Sequence, residues 1–574
     1  MKHCPQCKRV ETDEALKFCR VDGATLVNDS SSIDQEAGTA KLGAGQVASA
    51  TATRILPLAT EASFNRVTAP TTVLSTQPPN LPAVAFKARR RKATIAIIVA
   101  AAAVVVACSV VFFKFYFSTR RTATIQSIAV LPFENASGNA ELEYLSDGVS
   151  ENVIDSLSEL PQLKVIARSS SFRYRGPNLD FKEIANALGV DAIVTGRVVQ
   201  RGDTYQIRIE MVDARDNRNL WSESFNGKAS DVQVLQANIS REIAGNLLLK
   251  LSRTETQTSP KQTANPQAYQ LVLKGNFYRN NGSTEDLNKS IECFLQAISI
   301  DPSYASAYAG LADAYRFVGG DPKEMLAKRE AAIRRALELD DTLADAHFSM
   351  GQYQRDLWNW EEAEREYRRA MQLNPNSAHA YSGLSGLLSL LGRYDEAIVA
   401  DKRAMQLDPV GVIVNTVAGR TLHYARRYDE AIEQLKKTIE FDSSSPTPHI
   451  RLADVYVTKK MYSEAIAEYQ LTIKLGGRDE AQIRLAATYA KMGEREQALG
   501  ILRRVRNEGG YVSYSLLAIL YAALGESEEA FASLEKAYTE HDPRLQILKV
   551  DQGYDSLRSD PRFGDLMKRI GLPQ

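Results

Sequence analysis

Cysteine is scarce in this chain, five in 574 residues, and that scarcity excludes a disulfide framework. Three of them, Cys4, Cys7 and Cys19, crowd the N-terminus, while Cys108 and Cys293 stand alone. Histidine is nearly as rare, six residues spread too widely to build an active site. No phosphate-cradling glycine loop, HExxH or GxSxG pattern occurs. Net charge is absent too: 70 Lys plus Arg balance 70 Asp plus Glu, so global charge selects neither nucleic acid nor an acidic substrate. Between residues 123 and 252 acidic side chains outnumber basic ones, which removes the clustered cations that phosphate neutralisation needs. Carboxylate pairs such as Glu361-Glu362 and Glu528-Glu529 fall at expected helix starts, where they complement the macrodipole. The expectation is a chain without catalytic residues and, at this length, with several modules.

What the sequence does contain is a period. Ala363, Ala397, Ala431 and Ala465 are separated by thirty-four-residue steps, the length of a helix-turn-helix repeat. Met350-Gly351, Ala363, Tyr367, Ala370 and Pro375 form one unit. Leu384, Ala397, Ala404 and Pro409 form the next. Ala418-Gly419, Ala431 and Leu435 come after it, then Leu452-Ala453, Tyr456, Ala465 and Tyr469. Small residues let two helices approach, the tyrosine fills the gap beside them, and proline ends the second helix because it has no amide to donate. Leu485-Ala486, Tyr489 and Ala498 continue the pattern, as do Leu517-Ala518, Tyr521, Ala530 and Ala537. Upstream, Gly275, Phe294 and Pro302 fit, and so do Leu311-Ala312, Tyr315 and Ala336. The pattern resembles the tetratricopeptide repeat, with about eight units over 267–541. That resemblance implies an all-α superhelical solenoid with a binding groove. Residues 542–574 supply the cap such an array needs, with Asp560 and Pro561 opening a helix striped by Phe563, Leu566, Met567 and Ile570.

Ala93–Phe113 carries no charged side chain and is long enough to span a hydrocarbon core of roughly 30 Å. Lys87, Arg89, Arg90, Arg91 and Lys92 precede it, against Lys114, Arg120 and Arg121 after it. This bias orients the N-terminus to the cytoplasm. Residues 1–27 read Cys4-Pro5-Gln6-Cys7 and then Cys19-Arg20-Val21-Asp22, the spacing of a structural zinc ribbon. Asp22 stands where a fourth cysteine is usual, His3 is a second candidate ligand, and a metal-free knuckle is the alternative. Residues 28–86, rich in Ser, Thr, Ala, Pro and Gly, read as a disordered linker.

From Ile125 the pattern is mixed. It predicts strands at Ile128–Phe133, Leu163–Ile166, Ile193–Val199 and Leu220–Phe225, and helices over Glu141–Leu160, Phe181–Leu188 and Val232–Leu247. Tyr205, Ile207, Ile209 and Met211 alternate with polar residues on a strand that has one buried face. Together these make an α+β domain over 123–252. Ile128 to Asn135, Tyr144 to Val149, Leu188 to Gly196 and Val212 to Ser222 resemble the TolB-like, or FlgO-like, domain, which is similar to the N-terminal domain of periplasmic TolB. The resemblance implies a bacterial inner-membrane protein with its C-terminal domains in the periplasm, and a role in protein interaction. Relatives with this layout carry a kinase, cyclase or winged-helix domain on the cytoplasmic side. Here the ribbon and linker hold that place, and those activities do not carry over.

Carried over by position, the groove of a tetratricopeptide array falls here on Phe348, Gln352, Arg355, Ser382, Ser389, Arg420, His423, Tyr424, Ile450 and Asp454. Arg420, His423 and Tyr424 are the most interaction-ready cluster. The repeated Lys and Asn positions of chaperone-binding members are absent. The expected function is a non-catalytic, membrane-anchored scaffold binding a protein or peptide in the envelope, without a small-molecule substrate. The alternative is a membrane-tethered signalling or transcription regulator whose ribbon contacts nucleic acid or a cytoplasmic partner.

Overall fold

The computed structural model describes residues 125–573, apart from 140–141, 177, 229–231, 249–262, 264, 320 and 508–511, together with three two-residue strands near the N-terminus. The chain forms two compact units, Met1–Val105 and Val106–Gln574. In the first, β1 (Lys2–His3) lies between β2 (Val10–Glu11) and β3 (Val27–Asn28), antiparallel to both, with His3 opposite Val10 and Val27. Cys4, Cys7, Cys19 and Asp22 lie outside the described residues, and so does Ala93–Phe113. Among the described residues no helix is long and apolar enough to cross a membrane.

The second unit opens with a mixed sheet. Its elements are β4 (Ser127–Val130), β5 (Glu134–Asn135), α1 (Glu143–Ser158), β6 (Lys164–Val165), α2 (Arg168–Ser171), α3 (Phe181–Leu188), β7 (Ala192–Arg201), β8 (Thr204–Asp213), β9 (Arg218–Lys228) and α4 (Val232–Leu248). The strand order is β6-β4-β7-β8-β9, and β5 pairs farther along β7. β4 runs parallel to β6 and β7, whereas β7, β8 and β9 form an antiparallel meander turned at Gly202. Period-two alternation assigns the two faces. Ile128, Val130, Ala192 and Val194 meet Val149, Val153 and Leu157 of α1 and Ile239 and Ile243 of α4. Ala129, Leu131 and Ile193 meet Ile184, Ala185 and Leu188 of α3 on the other side. Asp180 caps α3, accepting from Lys182 N and Glu183 N, and left-handed Gly189 ends it.

Eight antiparallel helix pairs come next. They are α5 (Pro266–Asn281) with α6 (Thr284–Ile300), α7 (Ala305–Phe317) with α8 (Pro322–Leu339), and α9 (Ala344–Asp356) with α10 (Trp360–Leu373). Then come α11 (Ala378–Leu390) with α12 (Tyr394–Leu407), α13 (Val412–Tyr424) with α14 (Tyr428–Phe441), and α15 (Pro446–Thr458) with α16 (Tyr462–Lys474). The last pairs are α17 (Arg478–Lys491) with α18 (Arg495–Asn507) and α19 (Tyr514–Leu524) with α20 (Ser527–Thr539). Ala363, Ala397, Ala431 and Ala465 are all fully buried, as close helix approach requires. A Cβ on Gly351 or Gly383 would lie 2.8 or 2.7 Å from the Tyr367 ring, so this tyrosine is seated by glycines on two successive first helices. The chain ends in two 3-10 turns, Pro543–Ile547 and Gln552–Leu557, and α21 (Pro561–Arg569). Asp560 caps α21 by accepting from Arg562 N, and Phe563, Leu566, Met567 and Ile570 are buried.

The solenoid is clasped along both edges. In the turns between repeats, an Asp or Asn usually accepts from the amide two residues on: Asp301 from Ser303 N, Asp340 from Thr342 N and Asp442 from Ser444 N, each at 2.9 Å. At Asp408 the α+β part intervenes. Ser170 Oγ donates to Asp408 Oδ1 at 2.5 Å and accepts from Val410 N at 3.0 Å, so a foreign hydroxyl completes the turn. Ser169 Oγ reaches the other carboxylate oxygen at 2.6 Å. One turn earlier, buried Asn376 donates to the carbonyls of Ser158 and Leu163 at 3.0 and 2.9 Å and accepts from Val165 N at 3.3 Å. The opposite edge, where the helices of a pair join, meets the C-terminal stretch. Trp358 stacks on His541 with centroids 4.7 Å apart, and Trp360 Nε1 donates to Ile570 O at 2.8 Å. Lys549 Nζ donates to Leu391 O at 3.1 Å, and Gln552 Nε2 to Tyr428 Oη at 3.2 Å. Trp358 adopts a φ of 63° where the next turn has Gly392, a strained position held by that stack.

Candidate functional site

The first helices of the pairs line the concave side, and the thirty-four-residue step puts Gln352, Gly386, Arg420, Asp454 and Thr488 at equivalent places along it. Toward the C-terminal end the groove floor is a buried ion network. Asp454 accepts from Tyr469 Oη at 2.7 Å and pairs with Arg451 at 3.0 Å and Arg484 at 3.2 Å. Glu480 pairs with Arg451 at 2.9 Å, Arg484 at 3.0 Å and also Arg544. Asp551 closes the network on Arg484 at 3.0 Å. Burial alone would raise Glu480, but Arg451, Arg484 and Arg544 hold it well below the usual carboxylate range. His423 Nε2 lies 3.0 Å from both Thr458 Oγ1 and Gln552 Oε1, and burial lowers its pKa, which keeps the imidazole neutral. A cavity of about 40 Å³ opens here between Arg420, His423, Tyr424, Asp454, Lys491 and Gln552.

Toward the middle of the groove the charges cease to balance. Asp356 is shared by Arg329 at 2.9 Å and Arg355 at 3.1 Å. Among the described residues, neither Arg316 nor Arg420 forms an ion pair, and enclosed Arg420 Nε has no hydrogen-bond partner. Burial lowers the Arg420 pKa, with Arg451 and Arg355 adding like-charge repulsion against the opposing pull of Tyr424 and Asp401. The Arg420 guanidinium leans over Gly386, where an added Cβ would lie 3.3 Å from its Nη2. Phe348 is half-buried, its ring 5.9 Å from Tyr367 and 6.1 Å from His379. At the N-proximal end, Glu151 and Asp155 of α1 face Arg279, and Asp345 joins that group.

The residues singled out from the sequence therefore fall into two places. Arg420, His423, Tyr424 and Asp454 come together at the cavity, whereas Phe348, Gln352 and Arg355 lie on α9. Gln352, His423, Tyr424 and Asp454 are buried, with partners from this same chain at His423 and Asp454. Sequence reasoning missed Arg451, Arg484, Asp551 and Gln552, because nothing in the period shows that the C-terminal stretch folds back onto the groove. It also missed Asp401, which is buried without well-aligned hydrogen bonds to its carboxylate oxygens. That residue was within reach of the period. It occupies the place held by Tyr367, Leu435 and Tyr469 in neighbouring units, where a carboxylate breaks the pattern.

Comparison with known proteins agrees with the repeat architecture. Tetratricopeptide-repeat models match residues 283–316, 344–377, 480–508 and 511–539, and the helical pairs are tetratricopeptide repeats. Such repeats are typically protein-interaction scaffolds. Residues 124–242 match a model described as HilA/YgeH-like transcriptional regulator, second domain. The chain is 30% identical over 230 residues to a protein named Putative adenylate cyclase 3 from Rhizobium meliloti (strain 1021), covering 39% of each chain. It thus spans well under half the length of that relative. Among solved structures it is similar to human IFIT1 dimer with m7Gppp-AAAA, at 16% identity and a TM-score of 0.37 over 59% of this chain and 88% of that one. Pseudomonas aeruginosa pilF aligns at 23% identity and a TM-score of 0.30 over 37% and 94%. YrrB, described as a TPR protein with an unusual peptide-binding site, aligns at 20% identity and a TM-score of 0.25 over 33% and 96%.

Proposed function

We propose that this chain is a non-catalytic, membrane-anchored scaffold whose repeat groove and α+β part hold a protein or peptide partner in the bacterial envelope. The observation that carries the reading is the middle of the groove, where half-buried Phe348 and Arg355 on α9 and unpaired Arg420 on α13 stand two repeats apart on the same line of first helices. Ala93–Phe113 supports single-pass insertion with the N-terminus cytoplasmic, and the likeness of 125–250 to the TolB-like domain supports a periplasmic setting for the α+β part and the repeats. A structural zinc ion would be held by Cys4, Cys7 and Cys19 with Asp22 or His3. Zinc content of the full chain with and without Cys4→Ser tests it.

The scaffold reading is tested by photo-crosslinking in cells from position 348. The expected result is a discrete adduct that Arg420→Glu removes. The same products from exposed position 437 would overturn it. A reporter fused after Gln574 tests the topology. A second reading, the membrane-tethered regulator, draws support from the HilA/YgeH-like match over 124–242. A salt-sensitive DNA shift by the full chain, reduced by Lys8→Ala with Arg9→Ala, would favour it. The cyclase name belongs to the relative, and no cyclase activity is assigned to this chain.

A further inference from the structure

The groove is spoken for at its two ends and open between them. At the C-terminal end, Asp551 and Gln552 already sit on Arg484 and His423, and that stretch is no loose tail. Leu545, Leu548, Leu557, Phe563, Leu566 and Ile570 are all buried, apolar surface that would have to return to water for the stretch to leave. The stretch is therefore a permanent wall of the groove. At the other end α1 turns Glu151 and Asp155 toward the first helices.

Between these ends lie Arg316, Arg355 and Arg420. Each is near enough to the next for repulsion: Arg355 acts on Arg316 and on Arg420. Among the described residues the carboxylate ion-paired within this group is Asp356, divided between Arg329 and Arg355; Asp313 and Asp401 pull on Arg316 and Arg420 without forming an ion pair with either. Like charges gathered on a concave, partly dehydrated surface raise its energy until an opposite charge arrives. The way this chain satisfies the neighbouring arginines shows the chemistry that fits: carboxylates on guanidinium, from Asp454, Glu480 and Asp551. We infer that the open middle of the groove docks an acidic peptide segment, its carboxylates on Arg316, Arg355 and Arg420 and its backbone passing Phe348. The inference rests on the scaffold reading and adds the partner's charge to it. A nucleic-acid strand fits less well. The carboxylates of Glu151, Asp155 and Asp345 would repel its continuing phosphates, and Phe348 is one half-buried ring where a strand needs a series of stacking platforms.

The test uses the purified full chain and fluorescein-labelled hexaglutamate, with hexaglutamine and a decathymidine strand as comparisons. Hexaglutamate should bind with strong salt dependence and hexaglutamine should not. Arg355→Gln and Arg420→Gln should each weaken binding about tenfold, the loss of one charge-assisted contact, with unchanged circular dichroism and melting. Exposed Arg335→Gln serves as the folded control. Equal binding by wild type and the Arg355/Arg420 double variant overturns the inference, as does tighter binding of decathymidine. If hexaglutamate fails while crosslinking from position 348 still yields an Arg420-dependent adduct, the acidic partner is wrong and the scaffold stands. If both fail, both readings fall.

Discussion

Replacing Asp401 by asparagine should stabilise the protein, an unusual outcome for a change in a repeat core. Asp401 is 3% exposed, and its carboxylate oxygens lie beside the Ser385 and Thr421 hydroxyls without well-aligned hydrogen bonds to them. Burial pushes its pKa from 3.8 to about 6, against the opposing influence of the Ser385 and Thr421 hydroxyls and of Arg420. A carboxyl whose pKa is raised on folding favours the folded state most when protonated. Its contribution is complete below about pH 4, falls as pH rises to about 6, and is gone above that. Two pH units correspond to about 3 kcal/mol, the cost of holding this group ionised in the core at neutral pH. Asparagine has the same shape and no charge, and its amide has hydroxyl oxygens nearby to donate to. Asp401→Asn should therefore gain up to about 3 kcal/mol over wild type at pH 7.5 and little near pH 4. Urea unfolding of both proteins across that range measures the difference, in which the titration of all other groups cancels. Parallel pH profiles, or an asparagine variant less stable at pH 7.5, would refute the reasoning.

Asn376→Ala should cost about 2–4 kcal/mol by stranding the buried carbonyls of Ser158 and Leu163 and the Val165 amide, and hydrogen exchange should quicken at Val165 rather than across the repeats. Ser170→Ala leaves the Asp408 turn without its bridging hydroxyl and should cost about 1–3 kcal/mol, read as an earlier first transition in the same unfolding curve. Glu468 raises the His449 pKa through a 2.6 Å contact, and Glu366 does so for His347 against burial that lowers it. Stability from both is complete below the unfolded value of 6.5 and lost as pH rises through the folded one. Thermal melts should therefore drop from pH 6 to 8, and the drop should shrink in the His347→Gln, His449→Gln double variant. Lys460 sits at a φ of 61° in a turn where other units have glycine, so Lys460→Gly should gain up to about 1 kcal/mol, visible as a higher melting temperature.

The repeat array was legible because its physics is local: alanine, glycine and tyrosine recur wherever two helices must touch. Phe181–Leu188 was readable to the residue, since Asp180 and Gly189 cap it from adjacent positions. The short helix Arg168–Ser171 was not, because its serines serve Asp408, far along the chain. The strand read as Ile128–Phe133 stops at Val130. Phe133 is buried all the same, its amide donating to Ser150 Oγ at 2.8 Å rather than to a neighbouring strand. For the groove, helix-face positions could be read, but their availability could not. His423 and Asp454 looked open on their helices and are engaged by Gln552, Tyr469 and two arginines. Asp401 was visible as a break in the period only when compared with Tyr367, Leu435 and Tyr469.

Solenoids ordinarily lengthen and shorten by whole units, because each repeat touches only its neighbours. The double clasp removes that freedom here. Asn376 and Asp408 lie in consecutive turns and both bind one stretch of the α+β part, so a unit inserted between them would pull one contact out of reach. Trp360 meeting Ile570 ties the third helical pair to the last few residues, which fixes how many pairs lie between. The number of pairs between Trp360 and Ile570 is therefore set by closure, as the number of strands is in a barrel, and duplication of a unit between them would part that contact.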